Sequence, residues 1–277
     1  MSEAVTDRVT VIRRTRGLSL RLGELWEKRE LLYFLVWRDV KVRYKQAALG
    51  VAWAVVQPLA AMLVFTLIFG RLADLPSEGV PYALFAYVGL LGWTYFSSAV
   101  TQSSASLVAN PALVTKVYAP RVLLPLAGIS VPLVDLAISF VLVVPLMAFY
   151  DVVPGWQLAA LPAFLALAVL TAAAVGLTLS AVNVRYRDVP YAMPFLMQLW
   201  LYASPIVYPA TLIPERWQWL YSLNPVVGVV EGLRWSLLGT HGPGRLSLAV
   251  SACVAVVGAA LAFVYFRRVE RHFADLI

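Results

Sequence analysis

Few side chains in this sequence have the chemistry for acid–base work, and their positions narrow what that chemistry could be. Asp135 is the single charged residue in the apolar run from Val122 to Tyr150. An ionised group at the centre of a membrane helix costs at least ~3 kcal/mol even on insertion scales, so Asp135 must be paired, protonated or hydrated. A proton or ion relay would use such a group, but relays need further intramembrane acids or bases and this run holds none; a carboxylate hydrogen-bonded within a helix bundle is expected. Glu231 and Arg234 stand three apart in another apolar region, the spacing at which helical side chains meet. They are expected to pair, either as local neutralisation or to hold an outer gate. Thr94, Ser97, Thr101 and Ser104 recur at three, four and three residues, which places hydroxyls along one helix face. Such a face serves close helix packing or walls an aqueous path for a polar substrate.

Other chemistries lack their residues. No glycine-rich loop runs into Lys and Ser or Thr, so ATP phosphates have no P-loop to cradle them. His-Glu-x-x-His and Gly-x-Ser-x-Gly are absent, and the two histidines, His241 and His272, fall on opposite sides of the membrane in the topology below. No catalytic residue and no metal site is expected. Cys253 is the only cysteine, which excludes an intramolecular disulfide.

The elements that must carry these residues are legible from charge spacing. No charged residue occurs in Ala47 to Gly70, Gly79 to Thr115, Val152 to Val184, Val189 to Pro214 or Leu246 to Phe266. With Val122 to Tyr150 these make six stretches, each long enough for a bilayer span of about 20 apolar residues. Hydrophobic residues make up 61% of the chain and charged ones 13%, and the mean hydropathy is +0.78. The expected fold class is therefore an all-α integral membrane protein of six transmembrane helices. Of the 22 Lys and Arg residues, 11 precede residue 51. Lys116, Arg121, Arg185, Arg187, Arg267, Arg268 and Arg271 fall in segments that share one side with that cluster, against Arg71, Arg216, Arg234 and Arg245 on the other. Because Lys and Arg stay inside, both termini are expected in the cytoplasm, and the net charge of +7 reads as topology, with no nucleic-acid groove. No signal peptide is expected, since a long basic segment precedes the first apolar run.

The chain divides into a cytoplasmic amino-terminal segment, 1–46, and a six-span domain, 47–277. Within the first, Tyr33, Trp37, Val40 and Tyr44 form one helical stripe, with Arg38, Lys41 and Lys45 expected opposite, the pattern of an amphipathic helix lying in the membrane interface. Between the fifth and sixth spans, Ile213 to Gly244 is apolar but broken by Pro214, Asn224, Pro225, Gly228, Gly232, Gly239 and Pro243. Re-entrant outer helices are expected there, because irregular backbone at membrane depth needs protein or a water-filled cavity around it. Phe65, Phe69, Tyr82, Phe85, Tyr87, Trp200, Tyr202 and Tyr208 gather towards the outer ends of spans one, two and five. An interfacial belt explains such rings; an inward-facing subset would offer apolar faces to a sugar chain.

Several segments together resemble one family. RDVKVRYKQAALGVAWAVVQP from Arg38 to Pro58, NPALVTKVYAPR from Asn110 to Arg121, NVRYRDV from Asn183 to Val189, SPIVYP from Ser204 to Pro209 and NPVVGVVEGLRW from Asn224 to Trp235 are similar, in order and spacing, to the type-2 ABC export permeases of O-antigen and teichoic acid polysaccharides. The resemblance implies a homodimer in the bacterial cytoplasmic (inner) membrane, working with two copies of a separate ATPase that binds ATP and Mg, so that this chain itself binds no cofactor. It implies contact with that ATPase through Tyr33, Trp37, Arg38 and Lys41 and through Asn110, Lys116 and Arg121. It also implies a channel at the dimer axis for a lipid-linked polysaccharide, O-antigen first, with candidate lining residues Phe65, Phe69, Phe85, Tyr87, Thr94, Ser97, Thr101, Trp200, Tyr202 and Tyr208. Teichoic acid, capsule, or a drug or lipid are alternative cargoes, and a proton-coupled carrier built on Asp135 is the remote one.

Overall fold

The computed structural model describes residues 22–45, 50–116 and 119–273, all of whose regular structure is helical. Residues 1–21 and 46 of the expected cytoplasmic segment lie outside the described residues. The helices used below are α1 (Arg29–Lys45), α2 (Trp53–Phe65, continued by a π-helical segment Thr66–Leu72), α3 (Tyr82–Ala109), α4 (Pro111–Lys116), α5 (Leu123–Val141, continued by Val143–Phe149), α6 (Leu161–Arg185), α7 (Val189–Tyr202), α8 (Glu215–Tyr221), α9 (Pro225–Leu238) and α10 (Arg245–Val269).

Among the described residues, five helices are long and apolar enough to cross a membrane: Gly50–Leu72, Tyr82–Ala109, Leu123–Phe149, Trp156–Arg185 and Arg245–His272. The fifth expected stretch is shorter. Its helix, α7, has 14 residues and reaches about 21 Å at 1.5 Å per residue, after which the chain turns irregularly through 203–208. Pro205 and Pro209 explain the stop, since each biases the residue before it away from the helical region.

α3 is the hub. Its most apolar window is 83% buried by protein, against 11% for Gly50–Leu72 and 17% for Arg245–His272. Small residues allow the close crossings this requires. A Cβ on Gly128 of α5 would lie 2.8 Å from the Ser103 amide nitrogen, and one on Gly176 of α6 would lie 2.8 Å from Ser103 Oγ, so both neighbours approach α3 at the same serine. The hydroxyl stripe thereby splits. Ser103 and Ser104 are buried, and the Ser104 carbonyl accepts from Asn183 of α6, whereas Thr94 and Ser97 are half-buried and Thr101 is exposed.

A second, smaller hydrophobic cluster closes the end of the bundle that carries α1 and α4. Leu35 of α1, Val114 of α4, Leu107, Leu123, Ala181, Phe266 and Phe273 meet there. Arg121 secures it by donating to the carbonyls of Val114 and Glu270. At the opposite end, Asn224 caps α9 by accepting from the Val226 amide, Pro225 occupies the first turn, and Gly239 ends the helix at φ 65°, a left-handed conformation that a side chain would strain. This stretch is the broken segment of the sequence, resolved into two short helices, α8 and α9.

Candidate functional site

At the α1 end, the two segments expected to meet an ATPase touch each other. Arg38 of α1 donates to Asn110 Oδ1 at 3.2 Å and pairs with Asp39 at 2.8 Å. Leu35 faces the protein while Tyr33 and Trp37 point away, 61% and 47% exposed and stacked with an interplanar angle of 8°. Lys41, expected on the side opposite them, lies instead over the Trp37 ring at 5.1 Å. A step of four residues turns a helix by only about 40° beyond a full circle, so Lys41 shares the Trp37 face. Lys116, at the end of α4, is exposed. The result is a projecting aromatic and cationic surface anchored by a hydrophobic cluster beneath it.

Asp135 is paired, and its partners come from α1. Arg43 forms an ion pair with it and the Tyr44 hydroxyl donates to its other oxygen. Sequence analysis placed Tyr44 on the interfacial stripe and gave Arg43 no role; the separation of 92 residues hid the pairing. The group lines a cavity of about 180 Å³ among α1, α2, α3 and α5, with Gln57, Thr94 and Ser98 also on its wall. That volume holds several waters at about 30 Å³ each, so Thr94 belongs to a polar chamber while Ser104 belongs to helix packing.

The expected Glu231–Arg234 ion pair is not formed. Arg234, fully enclosed, donates Nε to the Phe85 carbonyl at 3.1 Å, Nη1 to Pro205 at 2.5 Å and Nη2 to Ile206 at 2.6 Å, and its Cζ lies 3.5 Å from the Phe85 ring centroid. The cause is the end of α7. The turn at 204–207 is buried, and its carbonyls need donors that no helix supplies. A planar guanidinium satisfies several at once where an acid partner would satisfy none. Gly89 makes the room, since a Cβ there would sit 3.0 Å from the Ile206 oxygen and 3.2 Å from Arg234 Cζ.

Glu231 instead lines a cavity at the end of the bundle opposite α1, where burial pushes its carboxyl from its ordinary 4.5 up to about 7; Arg234 opposes the rise and Glu78 adds to it. A folded-state value above the unfolded one means that the native state holds the proton more tightly. The contribution of Glu231 to stability is therefore full below about pH 4.5 and is lost as pH rises through about 7. Melting of the detergent-solubilised protein between about pH 5 and pH 8 should show this decline, and Glu231→Gln should flatten it, exceeding the parent protein at pH 8 and matching it at pH 5.

Of the expected channel residues, Phe85 and Tyr87 are corrected: both are completely buried inside the subunit, Phe85 beneath Arg234 and Tyr87 donating to the Ser139 carbonyl at 2.9 Å. α3 packs against α2, α5, α6 and α9, so these two rings have no free face. Trp200 is a peg, its indole donating to Asn224 Oδ1 at 3.0 Å and its ring standing edge-on to Phe96 at 5.0 Å. Tyr208 is also engaged, donating to the Tyr202 carbonyl at 3.0 Å. Phe65 and Phe69 are half-buried and stack edge-to-face at 5.6 Å. Tyr202 stays exposed and continues a stripe that sequence reasoning missed, Tyr191, Phe195, Leu199 and Tyr202 of α7. Its spacing of four, four and three was the available signal. Among the described residues no cluster of His, Cys, Asp and Glu could hold a metal.

Residues 30–238 match the family of ABC-2 type transporters. Over 257 residues the chain is 29% identical to the O-antigen export system permease protein RfbA of Myxococcus xanthus, covering 92% of this chain and 98% of that one. It is 25% identical over 262 residues to the RfbA protein of the same description from Klebsiella pneumoniae, at 94% and 98% coverage. It is also 25% identical over 225 residues to the polysialic acid transport protein KpsM of Escherichia coli, at 77% and 82%.

Proposed function

Because the chain belongs to the ABC-2 type transporter family, we propose that it is the permease subunit of an ATP-driven exporter that carries a lipid-linked polysaccharide, O-antigen first, across the bacterial cytoplasmic membrane. The observation that carries this reading is similarity over nearly the whole length to permeases named for O-antigen export, and the exposed aromatic stripe of α7 agrees with it. In this reading α7 and the turn after it complete a sixth crossing, both termini are cytoplasmic, and two copies of the chain enclose a channel lined by α2 and α7. Two copies of a separate ATPase bind ATP and Mg and dock on α1 and α4. Their closure pushes on the Tyr33–Trp37 surface. The Arg38–Asn110 contact makes α1 and the α3–α4 junction move together, and Arg43 with Tyr44 passes the motion to α5 through Asp135. Exposed rings on α7 let sugar units slide without fixing their identity. An acidic capsule polymer is the second reading, favoured by the similarity to KpsM.

Affinity purification from native membranes in mild detergent tests the assignment. A stoichiometric soluble subunit with a phosphate-loop Lys should be retained. Trp37→Ala and Lys116→Glu should each cut its recovery by about fivefold or more, as expected for an aromatic anchor and a cation at an interface. Unchanged recovery in both variants would remove α1 and α4 as the docking surface, and a chain that comes out alone and transports without ATP would overturn the exporter reading.

A further inference from the structure

A third region of the molecule has polar chemistry that neither the coupling surface nor the Arg234 anchor uses. A cavity of about 310 Å³ lies at the outer end, among the α2–α3 loop, the segment from Ala210 through α8, and the α9–α10 turn. Glu78, Gln218, Trp219, Glu231, His241 and Arg245 line it. Its volume falls at the lower end of small-molecule clefts, about 300–1,000 Å³, which suits one sugar unit better than a peptide. The donors and acceptors match a sugar as well. Carboxylates and an amide accept from ring hydroxyls, Arg245 donates to them, and the half-exposed indole of Trp219 offers a flat apolar surface to the C–H face of a pyranose.

The wall is tied in place. Ser222 Oγ donates to Ser247 Oγ at 2.8 Å and Ser251 Oγ to the Ser222 carbonyl at 3.0 Å, fastening the end of α8 to α10. Tyr221 donates to Tyr208 at 3.1 Å, and Tyr208 to the Tyr202 carbonyl at 3.0 Å, so the cavity connects by hydrogen bonds to the exposed aromatic face of α7. Glu78 is held at φ 57°, a backbone conformation unfavourable to a residue with a side chain.

The geometry points to a sugar-binding subsite at the outer end that accepts neutral or amino-sugar units and disfavours acidic ones when Glu231 is ionised together with Glu78, because the two carboxylates lining the cavity then outnumber its single guanidinium. The inference deepens the glycan-export reading above and rests on it. It also separates the two cargoes named there, since an acidic polymer would meet like charge where it emerges.

Saturation-transfer NMR on the full chain in mild detergent at about pH 8, where Glu231 is ionised, provides the test, with triacetylchitotriose as the neutral probe and trigalacturonate as the acidic one. The neutral trisaccharide should bind, and the acidic one at least about tenfold more weakly. Trp219→Ala should weaken the neutral probe by about fivefold with an unchanged melting temperature, since the ring is half-exposed. Glu78→Gln should shrink the discrimination to about threefold or less. Equal binding of the two probes, binding of neither, or an unaltered affinity in Trp219→Ala would overturn the subsite. Glycan export by cells carrying the chain is followed in parallel. Export that persists without trisaccharide binding removes the subsite alone, whereas a gene deletion that leaves glycan export unchanged removes the export reading beneath it.

Discussion

Arg234→Leu should unfold the outer end of the protein. The substitution keeps an apolar side chain of moderate size but withdraws donors from the carbonyls of Phe85, Pro205 and Ile206 at once. Each buried acceptor that loses a charged donor costs about 1.5–3 kcal/mol, and the contact with the Phe85 ring is lost as well. A total above about 4 kcal/mol belongs to the exceptional class of single substitutions. The measurement is thermal stability in detergent together with limited proteolysis, and cleavage should concentrate at 203–224, the stretch whose turn Arg234 anchors. Arg234→Lys should recover little, because a single ammonium lacks the planar fork that spans these carbonyls. Gly89→Ala should imitate part of the effect without touching the arginine, by crowding its guanidinium against Ile206. Normal stability in Arg234→Leu would mean that water or lipid satisfies the turn.

The second large effect is expected at Asp135. Removing its carboxylate in Asp135→Ala leaves Arg43 without its counter-charge and Tyr44 without its acceptor. Breaking a fully buried pair costs about 3–5 kcal/mol; here the Arg43 side chain is 37% and that of Asp135 22% exposed, and solvent screening reduces the figure to about 2 kcal/mol. The double variant Arg43→Ala/Asp135→Ala should be milder than Asp135→Ala alone, since it strands no charge, and the difference is read as a coupling energy from a double-mutant cycle. Function should separate from stability here. With the tie from α1 to α5 cut, ATP hydrolysis by the assembled transporter should persist while glycan export falls, because the push on α1 no longer reaches α5. Parallel loss of both activities in a well-folded double variant would exclude this transmission route. A proton relay through Asp135 predicts instead that uncouplers abolish transport at constant ATP.

Much of the architecture was written in local patterns. Charge-free runs marked the helices, because a bilayer penalises charge regardless of what packs against it. Five of the six expected runs are helices of spanning length, and the remaining one, Val189 to Pro214, ends early at the prolines visible in SPIVYP. The family motifs were equally local, and so was the need of Asp135 for a partner. What a pattern cannot state is which apolar face meets protein and which meets lipid, since both demand the same residues. For this reason Phe85 and Tyr87 read as channel rings and proved to be core, and the stripe on α7 passed unnoticed. Nor can helical spacing tell that an arginine three residues from a glutamate has a better use. Arg234 turns to carbonyls exposed by a helix that stops in another part of the chain, and Arg43 finds Asp135 across 92 residues. Those choices were made in the tertiary structure, where the cost of an unsatisfied buried group outweighs the attraction of the nearest opposite charge.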